Sequence, residues 1–208
     1  MALGRRRSGA PERRGTPFDL LVLGLGNPGR EYAGSRHNAG ADVVALLASR
    51  HGEQLKMSKD APALVAEYRV GDRRVAVAFP TTYMNDSGLA ALPLTRRYGI
   101  EDPRRLVVVH DELDLEPGRL KVKVGGGLAG NNGLRSIKAH LHTDEFARVR
   151  IGVGKPPGGK DRGVDHVLSR PSKAEAELLR VTIEEAADAV DAIATEGPDA
   201  VMARYNAR

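Results

Sequence analysis

The chain has 208 residues, 41% hydrophobic and 28% charged, the size and balance of one globular domain, which excludes a fibrous or wholly disordered protein. It has no cysteine, which excludes disulfides, thiolate nucleophiles and cysteine-ligated zinc, and no apolar run approaches the roughly 20 residues that span a bilayer. The net charge of +5 is uneven: residues 1–17 carry five arginines against one acid, residues 119–170 eleven bases against four acids, and residues 172–196 seven acids against two bases.

Residues 1–17 combine arginine with Gly, Pro and Ser and show no apolar periodicity, so they read as a flexible extension ahead of a domain at 18–208. The extension lacks the apolar core of a secretory signal; its Arg-rich, acid-poor composition is also that of an organelle transit segment, but a plain bacterial extension is the preferred reading, and the absence of cysteine fits a cytoplasmic protein. Residues 18–24 (FDLLVLG) have the pattern of a buried strand, and 38–50 carry a helical apolar face. Two alternating segments, 64–70 and 73–79, flank Gly71-Asp72 as a hairpin. A helix is predicted over 87–98, with Pro93 implying a kink or a late start. Residues 106–110 (LVVVH) form the clearest buried strand, followed by strands at 120–124 and 148–153 with a helix at 133–142 between them. The last helix follows Pro171: Ser172 and Glu175 make a capping box, and Gly197-Pro198 ends it. Its Leu179, Ile183, Ala186, Val190 and Ile193 make one apolar stripe with an acidic back. Strands alternating with helices predict a single three-layer α/β domain, a mostly parallel mixed sheet flanked by helices, with ligands beyond the carboxyl ends of the strands.

Gly24, Gly26 and Gly29 satisfy G-x-G-x-x-G after a strand, the fingerprint of a dinucleotide site. That site needs a helix opening at the third glycine, and here residues 30–36 (REYAGSR) intervene, so no cofactor is expected. The loop offers instead Asn27, Tyr32, Arg36, His37 and Asn38, while the LVVVH strand runs into Asp111, Glu112 and Asp114 at the same predicted edge. An imidazole meeting a carboxylate there can take a proton from water, the carboxylate fixing the tautomer and stabilising the cation, which suits ester hydrolysis. From these residues alone His37 can equally be a surface or capping residue, and HDELD a solvated turn or a hard-cation site. With no G-x-S-x-G elbow and no cysteine, a covalent nucleophile is not indicated. The basic stretch 119–170 would attract a polyanion or simply form a solvated face.

Four blocks in order, GLGNPGREYAGSRHNAG (24–40), PTTYMNDSG (80–88), VVVHDELDLEPG (107–118) and KVKVGGGLAGNNGLRSI (121–137), make residues 18–206 resemble the bacterial-type peptidyl-tRNA hydrolases. The resemblance implies a monomeric, cofactor-free and metal-free α/β hydrolase that cleaves the ester between a peptide and the terminal ribose of tRNA. His37 would then activate water, Asp111 would orient it, and Asn27 and Asn85 would hold peptide or water. Asn132 would stabilise or position the scissile group. Tyr32 and Met84 would line the peptide and terminal-nucleotide site, and Lys121, Lys123 and Arg150 would contact tRNA phosphates. The family commonly has G-G-H-N-G where this chain reads Ala129-Gly130-Asn131-Asn132-Gly133, so Asn131 stands where a second histidine is usual, with consequences for substrate binding or pH response. Ser35 in place of the usual Thr is minor. A non-catalytic RNA-binding relative is the alternative implied by the same resemblance.

Overall fold

A computed structural model of the chain describes residues 16–156 and 163–207, so the proposed extension lies almost entirely outside the described residues. Seven strands form one sheet: β1 (Leu20–Gly24), β2 (Lys56–Met57), β3 (Ala63–Val70), β4 (Arg73–Pro80), β5 (Leu106–Glu112), β6 (Leu120–Val124) and β7 (Ala147–Gly152). Their spatial order is β2-β3-β4-β1-β5-β7-β6. The central β4, β1, β5 and β7 are parallel neighbours, whereas β2, β3 and β6 join through antiparallel pairings. The Gly71-Asp72 hairpin is present between β3 and β4, with Val70 opposite Arg73. The reversal of β6 against β7 is a second antiparallel exception that alternation of strand and helix does not announce. Of these seven strands, β3 and β6 run against the common direction.

Helices α1 (Ala39–Arg50), α2 (Gly88–Tyr98), α3 (Asn132–Leu141), α4 (Gly163–Leu168), α5 (Lys173–Glu196) and α6 (Pro198–Asn206) complete the domain. The alternation of strand side chains divides the core in two. Leu20, Val22, Val107, Val109, Val149 and Ile151 face α1, α5 and α6, while Leu21, Leu23, Leu106 and Val108 face α2 and α3. This is the three-layer arrangement the sequence predicts. Among the described residues no helix is long and apolar enough to cross a membrane.

Both sides of the Ser172–Glu175 capping box form, and α5 stops at Gly197 as expected. Pro198, however, opens a further helix, because proline at the first helical position costs no hydrogen bond. Pro93 lies inside α2, which starts at Gly88 and runs through it to Tyr98, so the helix does not start late. The acidic back of α5 is partly neutralised from α1, where Arg50 reaches both Glu184 and Asp188.

Candidate active site

Three chain segments meet beyond the carboxyl ends of β1 and β5. Gly24, the last residue of β1, and Gly40, in the first turn of α1, lie against each other, and a Cβ on Gly40 would run into the carbonyl oxygens of Val109 and Leu25. The missing side chains let α1 start directly over the end of β5. The short 3-10 turn Arg36–Asn38 that leads into α1 is thereby held above Asp111. His37 Nδ1 lies 2.8 Å from Asp111 Oδ1, with the two side chains 16% and 3% exposed. An ionised carboxylate only accepts hydrogen bonds, so Nδ1 carries the proton and the Nε2 lone pair is the basic one. Burial pushes the His37 pKa down, but the Asp111 charge and hydrogen bond outweigh it and the net displacement is upward.

The loop after β1 is pinned by Asn38. Its Oδ1 accepts from Asn27 N at 2.9 Å and its Nδ2 donates to Asn27 O at 3.0 Å. Met84 N donates to Asn27 Oδ1 at 2.8 Å, which fixes the amide orientation and leaves the Asn27 Nδ2 hydrogens for the cleft. Asn38 was legible only as one polar residue of this loop; its work is structural.

Asn27, His37, Met84, Asn85, Asp111 and Asn132 all line one cleft of about 690 Å³, whose wall also includes Asn131, Tyr83, Leu113 and the apolar residues of α4. Asn131 caps α3, its Oδ1 accepting from Leu134 N at 3.1 Å. Asn132 is exposed, and its Oδ1 accepts from Arg135 at 3.4 Å. Met84 is buried against Gly133, which has no room for a side chain there. Tyr32 is half-buried in the turn before His37 and lies outside this lining.

The acids of HDELD do not converge on a common point. Asp111 serves His37, Glu112 pairs with Arg150 at 3.0 Å, and Asp114 pairs with Lys155 at 2.8 Å. Among the described residues no three His, Asp or Glu side chains cluster as ligands for a metal ion. His110, the neighbouring imidazole, is buried and donates Nδ1–H to the Asp111 carbonyl at 2.7 Å, and burial holds its pKa down. It is therefore no rival as a solvent-facing base.

Lys121 and Lys123 stand on β6 opposite Arg150 and Arg148 of β7. All four point to the face of the sheet opposite the valine layer under α5 and α6. The two lysines form no ion pair among the described residues, whereas Arg150 is engaged by Glu112. Arg148 is fully buried and donates to the carbonyls of Gly125, Gly126 and Gly127. Its place in the charge count therefore overstated the exposed positive surface. Lys160 and Arg162, also in that count, lie outside the described residues.

The Peptidyl-tRNA hydrolase family model matches residues 21–208. The chain is similar to the peptidyl-tRNA hydrolase of Mycolicibacterium vanbaalenii, with 46% identity over 86% of this chain and 92% of that one. It has the same identity to the Cutibacterium acnes enzyme, over 89% of this chain and 97% of the relative. The crystal structure of the Acinetobacter baumannii peptidyl-tRNA hydrolase superposes with a TM-score of 0.85 at 37% identity, covering 93% of this chain and 98% of that one.

Proposed function

Since the chain belongs to the peptidyl-tRNA hydrolase family, its reaction is hydrolysis of the ester in peptidyl-tRNA, and we propose that water activated directly at His37 is the nucleophile. The observation that carries this reading is the His37–Asp111 hydrogen bond opening onto a cleft lined by asparagine amides and apolar side chains, whose other two carboxylates, Glu112 and Asp114, are each paired with a base. His37 Nε2 takes a proton from water as the oxygen attacks the ester carbonyl carbon. Asp111 stabilises the imidazolium that forms. The resulting oxyanion is met by amide donors, of which Asn27 Nδ2 is the best oriented because its partner oxygen is held by Met84 N. Such donors are worth roughly 3 kcal/mol each. Collapse breaks the bond to the ribose oxygen, which receives the proton from His37, leaving a peptide acid and free tRNA.

Asn85 and Asn132 stand at the exposed rim of the cleft, where they hold the peptide backbone or the terminal ribose, and Asn131 presents its remaining amide donors beside them. Met84 packs beneath the acyl group. Tyr32, on the turn before His37, is placed to meet the terminal nucleotide only outside the cleft lining. Lys121 and Lys123, with Arg150 behind them, bind tRNA phosphates away from the chemistry. We read the enzyme as a monomer working in the cytoplasm, as the family resemblance implies, with the arginine-rich sequence at 1–17 as an extension to the catalytic domain. An intact base and carboxylate in an open cleft favours catalysis over a binding-only role. The test is release of tRNA from N-blocked aminoacyl-tRNA against the unblocked form: selective cleavage of the blocked ester is expected, and cleavage of neither by folded protein would exclude the hydrolase.

A further inference from the structure

Arg36 immediately precedes the catalytic histidine in sequence, yet its side chain turns away from the cleft and is buried. Its Nη1 donates to the carbonyl oxygens of His166, Ser169 and Arg170 at 3.1, 3.3 and 3.2 Å, and to Ser169 Oγ at 2.6 Å. Nη2 pairs with Glu175 at 3.0 Å, and Arg36 N donates to Ser169 O at 3.2 Å. These acceptors close the carboxyl end of α4 and open α5. Carbonyls at the end of a helix lack intrahelical partners, and a cation suits them on both hydrogen-bonding and dipole grounds. The Glu175 carboxyl is held down at about 2, first by the Ser172 hydrogen bonds of the capping box and then by Arg36, so the pair stays charged across the working range.

Helix α4 has six residues, too few to hold itself in place, and besides this guanidinium it is tethered by His166 Nε2 donating to Val153 O at 3.2 Å. It nevertheless supplies Val164, Val167 and Leu168 to the cleft wall, with Val164 68% exposed. One buried side chain thus joins the loop that carries the base to the element that carries the apolar wall. A rigid fork with several donors fits this task where a single ammonium does not.

We propose that Arg36 is a positioning residue that sets the α4 wall relative to His37, and so determines how tightly the apolar side chains of the peptide moiety are held. The proposal rests on the cleft being the peptidyl-ester site. Its measurement uses one tRNA esterified with N-acetyl-triglycine or N-acetyl-trileucine. Arg36→Met should raise KM for the trileucyl ester about tenfold and for the triglycyl ester less than about threefold, since apolar wall contacts discriminate by such factors. Val164→Ser, which weakens the wall itself, should show the same selectivity. Equal loss on both esters, or a fall in kcat alone, in a variant with an unchanged circular dichroism spectrum would overturn the positioning role. If Arg36→Met does not fold, the double variant Ser169→Ala/Glu175→Gln decides, a selective KM rise supporting the proposal and no selectivity refuting it. Activity of His37→Ala on the triglycyl ester would instead sink the underlying reading of the cleft, leaving the two failures distinguishable.

Discussion

Replacing Asp111 by Asn keeps the shape of the side chain and removes its charge, which isolates what that charge does for His37. The carboxylate is 3% exposed and 2.8 Å from Nδ1, so solvent screens little of the interaction. At an effective dielectric near 20, unit charges about 4 Å apart attract by about 4 kcal/mol. With the proton half transferred in the transition state, about half of that is lost in the variant, close to 2 kcal/mol or a roughly 30-fold fall in kcat. The asparagine amide can also turn its NH2 toward Nδ1 and favour the wrong tautomer, which takes the loss toward about 10³-fold. The pH profile adds a sign. In the wild-type protein burial lowers the His37 pKa and Asp111 more than restores it, so the acid limb of kcat/KM lies above 6.5, the usual histidine value. In Asp111→Asn burial acts unopposed and the limb moves below that value. The assay is initial-rate hydrolysis of N-blocked aminoacyl-tRNA between pH 5 and 8. An unmoved acid limb, or a kcat within about threefold of wild type, would refute the role given to the pair.

Lys121→Ala and Lys123→Ala should raise KM with little change in kcat, the effect shrinking as salt rises. The slope of log affinity against log salt, read from KM over a salt series, should fall by about 0.7–0.9 for each phosphate no longer neutralised. Asn131→Ala removes the cap of α3 and should cost about 1 kcal/mol, a fall in Tm of about 2–4 °C in thermal melts.

How far the sequence could be read depended on the kind of interaction. Strands β1 and β5 were plain because LLVLG and LVVVHDE are buried along their length and so carry apolar runs. The meeting of His37 and Asp111 followed from β1, which leads into the His37 loop, and β5, which carries Asp111 near its carboxyl end, proving to be neighbours. Other features depended on partners distant in the chain. Arg148 and Arg150 look alike in sequence, yet one is fully buried over the carbonyls of the glycine loop after β6 and the other is bound to Glu112 of the neighbouring β5. Arg36 appeared as one polar residue among several beside the base, because its acceptors are mostly backbone carbonyls of a segment 130 or more residues away. The reversed β6 was hidden because parallel and antiparallel edges share the same alternation of side chains. Asn131 shows another case: the sequence reading places the helix at 133–142 and sees Asn131 only as standing in for a histidine, whereas its side chain caps the helix that starts at Asn132.

The central claim is that the imidazole of His37 is the group that activates water. Its most direct test is single-turnover hydrolysis of N-blocked aminoacyl-tRNA by His37→Ala, run beside tRNA binding by the same protein. Hydrolysis should fall by at least about 10²-fold while the tRNA dissociation constant stays within about threefold. Near-normal hydrolysis by the variant would contradict the claim.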